Sequence, residues 1–267
     1  MGGRSEHDPD NDDARDITAI SNALSLGITH IDSAEAYAAG YSETLVGQAI
    51  AETPRSELFL TSKVSPQHFH YDDLLRAHEA SLERLGVDYL DLYLLHHPNP
   101  EIDIKETMRA LNQLVDSGGV KGIGVSNFAV ARIQAAEGYS NQPLTAVQAH
   151  YNLVVREPEH KGVLGYCQQR EIILMAWRPV ELGKLSESDN RYAFELTQAK
   201  RCTGSQLSIA WLCAQKSVAT IFKTSNPKHL AENLGALKID LSDEEVENLR
   251  ADYTPQLSES PSSISIS

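Results

Sequence analysis

Seven short apolar runs punctuate the chain, at residues 29–33, 58–64, 89–95, 120–125, 146–150, 172–177 and 218–222. The stretches between them carry apolar residues at helical spacing. In 72–85 these are Leu74, Leu75, Leu82 and Leu85 together with His78, and Gly86 follows as a C-terminal cap. Strand then helix repeats without interruption, and strands this apolar are covered on both faces, which means parallel strands overlaid by helices. The pattern predicts an α/β fold, either a (β/α) barrel or a doubly wound sheet.

Caps locate two further helices. Ser242-Asp-Glu-Glu245 is a capping box that starts a helix running to about Asp252. The Asp-rich segment 8–13 reads as a solvated loop that caps a helix from about Ala14. It is not a calcium loop, because Asp13 stands where an EF-hand requires Gly and Ala19 where it requires Glu. No Pro-, Gly- or Ser-rich linker divides the chain. Residues 1–254 are therefore expected to form one domain, and the Ser-rich 255–267, which lacks an apolar face, a disordered tail.

Composition narrows the function. Hydrophobic residues make up 41% of the 267, and no apolar run approaches the ~18 needed to cross a bilayer. With no basic and apolar leader at the N-terminus, the expectation is a soluble, cytoplasmic protein. A net charge of -14 opposes non-specific binding to nucleic acid or to anionic membranes. Cys167, Cys202 and Cys213 are an odd set without CxxC spacing, so neither a disulfide framework nor a zinc site is expected. His68 and His70 lack a third ligand at a convincing spacing. They read as surface residues in the loop after the second run, where they can touch a substrate.

The chemistry concentrates where the first three runs end: Asp32 and Tyr37, then Lys63, then His96. Ends of successive strands are where a barrel assembles its active site. Taken singly, Asp32 reads as a turn or cap residue and His96 as a satisfied core histidine. Lys63 carries more weight, since a lysine ending an apolar strand must leave the core or find a partner. His97 is an equally available imidazole, but strand alternation groups His96 with Leu92 and Leu94. Jointly the four suit carbonyl reduction. Tyr37 would give the proton and Lys63 would stabilise the phenolate left behind. Asp32 would hold the lysine charged and oriented, and His96 would bond the carbonyl oxygen.

These residues carry a family resemblance. Asp32-(x4)-Tyr37, Thr61-Ser-Lys63 and Leu95-His96-His-Pro98 match the catalytic Asp, Tyr, Lys and His motifs of the aldo-keto reductases. In the same order, Gly124-Val-Ser-Asn-Phe128 is similar to the family's GxSNF segment. Ser126 and Asn127 would then hold a nicotinamide carboxamide, with Gln148 sharing the task. The stretch from Gln148 through Arg156 to Glu159 reads QxxYNLxxRxxE, which resembles the bacterial and potassium-channel-β-subunit-like branches. Trp177-Arg-Pro-Val180 stands in the place of the family's aromatic-Ser-Pro-Leu segment. Trp177 would stack on the nicotinamide, with Arg178, Pro179, Val180 and Gly183 beside the cofactor. Lys223-Thr-Ser-Asn-Pro-Lys-His-Leu-Ala-Glu-Asn233 matches the adenosine-phosphate segment, assigning Lys223, Thr224, Ser225, His229, Glu232 and Asn233 to that end. Pro227 at a first helical position also suits this segment to an anion, since it leaves backbone N–H groups and the positive dipole end nearby.

The resemblance implies a (β/α)8 TIM barrel that reduces an aldehyde or ketone to an alcohol, with a small carbonyl compound as substrate and no metal. NADPH is the implied cofactor. NADH is the alternative, because His229 stands where NADPH-selective members carry Arg, and an imidazole grips a 2′-phosphate less firmly. A rival function is a non-catalytic NADP(H)-sensing or interaction subunit, or an inactive truncated remnant. The channel-subunit-like motif permits it, and a count of seven strands where the family has eight counts for it. The first barrel strand and the hairpin before it are expected to be absent, leaving open backbone at His30 and Ile221.

Overall fold

The computed structural model describes residues 1–3, 5–181, 183, 190–255 and 266. Backbone contacts group them into two compact units, Met1–Thr145 and Ala146–Ser267. In the first, helix α1 (Asp13–Ser25) precedes strand β1 (His30–Asp32). Then follow α2 (Tyr41–Ile50), β2 (Phe59–Val64), α3 (Tyr71–Leu85), β3 (Leu90–Leu95), α4 (Ile104–Asp116), β4 (Val120–Ser126) and α5 (Val130–Glu137). In the second, the order is β5 (Ala146–His150), α6 (Glu157–His160), α7 (Val163–Arg170), β6 (Ile173–Trp177), α8 (Arg191–Lys200), α9 (Gly204–Cys213), β7 (Val218–Ile221), α10 (Pro227–Gly235) and α11 (Asp243–Asp252). All seven predicted strands are present.

Within each unit the strands are parallel and neighbours in chain order, β1 to β4 and β5 to β7. β3 is buried along its whole length, as a parallel strand covered by helices must be. Its one charged residue, Asp91, accepts from Leu60 N at 2.9 Å, Arg55 Nη2 at 2.7 Å and Lys121 Nζ at 3.0 Å. Burial alone would raise that carboxyl, but these donors hold it below the ordinary carboxylate range. β1 and β7 depart from the expectation that every strand is too apolar to be half-exposed. All three residues of β1 are only partly buried, and Ala219 of β7 is exposed. Within its own unit, β1 pairs with β2 and β7 with β6.

The caps follow their chemistry. Asp12 accepts from Arg15 N at 3.0 Å and starts α1 one residue earlier than the sequence suggests. Gly86 closes α3 at φ 67°, a left-handed conformation that favours glycine. Ser242 and Glu245 form both bonds of the capping box on α11. The QxxYNLxxRxxE stretch acts as internal bracing in the second unit. The Tyr151 hydroxyl lies 2.5 Å from Glu159 Oε1 and 2.7 Å from Gln215 Oε1, and Arg156 donates to the carbonyls of Arg250 and Tyr253. Trp211, together with Leu207, is core, as its helical spacing indicates. Of the expected tail, 256–265 and 267 lie outside the described residues, while Ile266 O accepts from Lys161 Nζ at 2.5 Å.

Candidate active site

Three parallel strands of the first unit end in step, and the end of each supplies one ionisable group. Asp32 is the last residue of β1 and pairs with Thr61. Lys63, next to last in β2, pairs with Leu94. His96 is the first residue beyond β3, its N–H prolonging the ladder to Val64 O at 3.0 Å. Tyr37 comes from the turn between β1 and α2.

Lys63 is wholly buried, so its ammonium must find every partner inside the protein. It has three donors and three partners: Asp32 Oδ1 at 2.5 Å, Ser33 O at 2.8 Å and Tyr37 Oη at 3.1 Å. Burial opposes its charge, yet the Asp32 carboxylate and the Tyr37 oxygen outweigh that penalty and raise its pKa. Lys63 is a fixed cation at neutral pH. Because the phenolic oxygen of Tyr37 accepts this bond, its own O–H proton is left to point elsewhere. Tyr37 is 37% exposed, which opens that direction to an incoming molecule.

His96 packs its ring edge-on to Tyr37, with centroids 5.5 Å apart, and stacks on His97 at 4.4 Å. Burial, then the Lys63 charge, then His97 push its pKa down to about 2, and burial with Lys63 pushes that of His97 down to about 4. Both imidazoles are neutral at working pH. A neutral imidazole has one N–H donor and one acceptor, which suits a ring that must bond a carbonyl oxygen without protonating it.

His97 joins this group to the end of β4. Its Nδ1 lies 3.0 Å from Asn127 Nδ2, which also donates to Ser126 Oγ at 2.9 Å and approaches His96 O at 3.4 Å. Asn127 adopts φ 63°, a conformation that asparagine tolerates better than most residues. Ser126 and Asn127 are both buried, and Asn127 Oδ1 has no hydrogen-bond partner among the described residues. It is an acceptor suited to a donor from a ligand such as a carboxamide.

Two glutamates that the sequence reading passes over support the set. Glu43 of α2, fully buried, accepts from Ser62 Oγ at 2.5 Å, beside Lys63, and from Arg84 Nε at 2.7 Å. Glu35 accepts from Ser65 N and lies 3.0 Å from His68 Nδ1. That contact ties the loop after β2 to the loop that carries Tyr37. His70 is exposed and lies 3.3 Å from Glu106.

In the second unit Gln148 is buried within β5. Trp177 ends β6 and already has one aromatic neighbour, since the His150 ring stacks on it at 4.2 Å and 16°. His150 Nε2 lies 2.7 Å from Glu181 Oε2, and Asn152 Nδ2 donates to that oxygen at 2.8 Å and to Arg178 O at 2.9 Å. Burial would raise the Glu181 carboxyl, but these contacts hold it below the ordinary range. Arg178 and Glu181 take φ 57° and 43°, and Gly183 φ 91°. Pro179 O accepts from Ser208 Oγ at 2.5 Å, and Val180 O from Gly183 N at 2.8 Å. No local pattern marks His150 and Glu181, because they lie 31 residues apart.

At the start of α10, Pro227 occupies a first helical position as expected. The N–H of Lys228, however, bonds to the Asn226 side chain at 2.9 Å, so that donor is taken by the cap. Lys223, Ser225 and His229 are exposed and Thr224 is half-buried. Glu232 accepts from Thr203 Oγ1 at 2.7 Å, and Asn233 is buried.

The sequence model of the aldo/keto reductase family matches residues 2–253, and the chain belongs to that family. It is 34% identical over 243 residues to methylglyoxal reductase YeaE of Escherichia coli (strain K12), covering 89% of this chain and 84% of that protein. With glyoxal reductase of Bacillus subtilis (strain 168) it shares 33% over 237 residues, 87% of this chain and 82% of the other. Among solved structures, the thermostable aldo-keto reductase Tm1743 bound to the inhibitor epalrestat superposes with a TM-score of 0.91 at 40% identity, covering 94% of this chain and 92% of that one. An aldo-keto reductase from Klebsiella pneumoniae in complex with NADPH gives 0.85 at 33%, over 96% and 91%. The fold is the aldo-keto reductase barrel, and the protein is an oxidoreductase of that class.

Proposed function

We propose that this protein reduces an aldehyde or ketone to an alcohol with NADPH, and that Asp32, Tyr37, Lys63 and His96 carry the proton chemistry. The observation that carries this reading is the use of the Lys63 donors. Of the three, one goes to Asp32 Oδ1 and one to Tyr37 Oη, which leaves the Tyr37 O–H aimed away from the lysine. NADPH, when bound, supplies hydride to the carbonyl carbon. Tyr37 Oη gives its proton to the carbonyl oxygen, and the Lys63 ammonium, 3.1 Å away, stabilises the phenolate that remains. His96, neutral, donates an N–H to the same carbonyl oxygen and fixes its angle.

For the cofactor, Ser126, Asn127 and Gln148 hold the carboxamide and Trp177 offers an aromatic face. Arg178, Pro179, Val180 and Gly183 line its middle, and Lys223, Thr224, Ser225, His229, Glu232 and Asn233 receive the adenosine phosphate. The buried Asn127 Oδ1, an acceptor without a donor among the described residues, supports the first of these assignments. The exposed Lys223 supports the last and favours NADPH over NADH. The motif from Gln148 to Glu159, by its resemblance to the bacterial and potassium-channel-β-subunit-like branches, supports assigning the chain to them. The names of the two curated relatives make methylglyoxal and glyoxal the first substrates to try.

Tyr37→Phe is expected to lower kcat by at least ~100-fold, the loss typical of a missing general acid. NADPH affinity, measured by quenching of tryptophan fluorescence, should be nearly unchanged. Turnover close to wild type in that variant would remove Tyr37 from its role.

A further inference from the structure

We propose that His97 is a positioning residue: by accepting an N–H from Asn127 at its Nδ1, it turns the Asn127 carbonyl oxygen toward the carboxamide N–H of a bound nicotinamide. The proposal rests on the assignment of Asn127 to the cofactor carboxamide. The two ends of an asparagine amide are alike in size and opposite in chemistry, so neighbours decide which end faces which way. Three atoms surround Nδ2. His96 O, an obligate acceptor, is 3.4 Å away and makes a weak contact. Ser126 Oγ, at 2.9 Å, can donate or accept and decides nothing. His97 Nδ1, at 3.0 Å, is an acceptor in the Nε2–H tautomer, and in that tautomer it is the short-range partner that sets the orientation.

An imidazole nitrogen accepts only when the ring is neutral and its proton sits on the other nitrogen. Burial and the nearby Lys63 charge keep His97 neutral, with its pKa pushed down to about 4. Stacking on His96 at 4.4 Å and 20° holds the plane of the ring. With Nδ2 committed, Oδ1 is the end left over, and it is buried without a partner among the described residues. A carboxamide NH2 supplies the donor it lacks. Without an acceptor at position 97, Asn127 can turn over and give Oδ1 to the Ser126 hydroxyl. Its NH2 would then face the NH2 of the carboxamide, donor against donor.

The test is calorimetric titration of wild type, His97→Leu, His97→Asn and Asn127→Ala with three ligands. These are NADPH, its reduced 3-acetylpyridine analogue, whose ring substituent has no N–H, and 2′-phospho-ADP-ribose, which has no nicotinamide. His97→Leu is expected to bind NADPH about tenfold more weakly, the scale of one mispaired hydrogen bond. It should leave 2′-phospho-ADP-ribose unchanged and shift the acetylpyridine analogue far less. In His97→Asn the side-chain oxygen stands close to where Nδ1 stood, and NADPH affinity should stay within about threefold of wild type. If Asn127→Ala selectively loses NADPH while His97→Leu does not, or weakens all three ligands alike, the role of His97 is overturned and the assignment of Asn127 stands. If Asn127→Ala shows no selective loss of NADPH, the assignment itself fails and the proposal falls with it.

Discussion

At the scale of single residues, the decisive quantity is the imbalance between burying a charge and satisfying it. Lys63 has no exposed surface, and its ammonium is tolerated because Asp32, Ser33 and Tyr37 take one donor each. Breaking one side of a buried pair strands the other charge, which typically costs about 3–5 kcal/mol. Asp32→Ala is therefore expected to lose about that much stability in urea unfolding, and the double variant Asp32→Ala/Lys63→Met to recover part of it. A double variant less stable than Asp32→Ala would show that Lys63 is not strained by the loss of its partner. Asp32, Lys63 and His96 were legible in the sequence because each ends a run of apolar residues, where an ionisable side chain needs a reason to be. Glu43 was not. It lies on a helix whose sequence gives no sign of a buried charge, and its partners Ser62 and Arg84 are 19 and 41 residues away. The same holds for the His150–Glu181 pair. Local pattern shows where a charge meets the core; only folding shows which distant residue it meets.

At the scale of elements, each of the seven strands lies within one residue of its apolar run at either end, because parallel strands are written as apolar runs, whereas most helices show in the sequence only as a 3.6-residue period between them. The three residues of β1 were legible as a strand but not as a half-buried one, since exposure depends on what covers each side. Close approach of helices was likewise invisible. Gly47 on α2 sits where an added Cβ would lie 2.6 Å from Arg84 O and 2.9 Å from Leu85 O, both backbone atoms of α3 or its end. Alanine is a better helix former than glycine by about 1 kcal/mol, so propensity alone predicts a more stable Gly47→Ala protein. Contact with an immovable carbonyl acts the other way and typically costs about 1–3 kcal/mol. The clash should win, and Gly47→Ala is expected to lower Tm by several degrees in a thermal melt. An unchanged or higher Tm would mean that α2 and α3 part without penalty. The shift would also bear on Arg84 and Glu43, which brace the strand carrying Lys63.

At the scale of the whole molecule, the net charge of -14 was the first bulk property to limit function, and among the described residues no helix is long and apolar enough to cross a membrane. What bulk charge does not reveal is how stability depends on pH, because that follows from a few buried groups. His30, His78, His96 and His97 all have their pKa values lowered from 6.5, burial being the first cause in each. For a base held below its ordinary pKa, the folded chain binds fewer protons than the unfolded chain between the two values, so stability rises with pH there. This contribution is complete above pH 6.5 and declines as pH falls, toward about 4 for His97 and about 2 for His96. The paired carboxylates Asp91 and Glu181 have lowered pKa values and act below the ordinary carboxylate range, which leaves pH 5 to 6 to the histidines. Relief of repulsion among surface acids works in the opposite direction, but exposed charges are screened over about 8 Å at physiological salt, whereas the buried imidazoles are not. Each proton taken up only on unfolding contributes about 1.4 kcal/mol per pH unit. The unfolding free energy is therefore expected to fall by at least about 2 kcal/mol for the unit below pH 6, from His96 and His97 together. The double variant His96→Gln/His97→Asn should remove about that much of the slope while its stability at pH 8 changes less. A slope that survives the double substitution would place the acid sensitivity elsewhere and leave these two histidines free to protonate in the folded state.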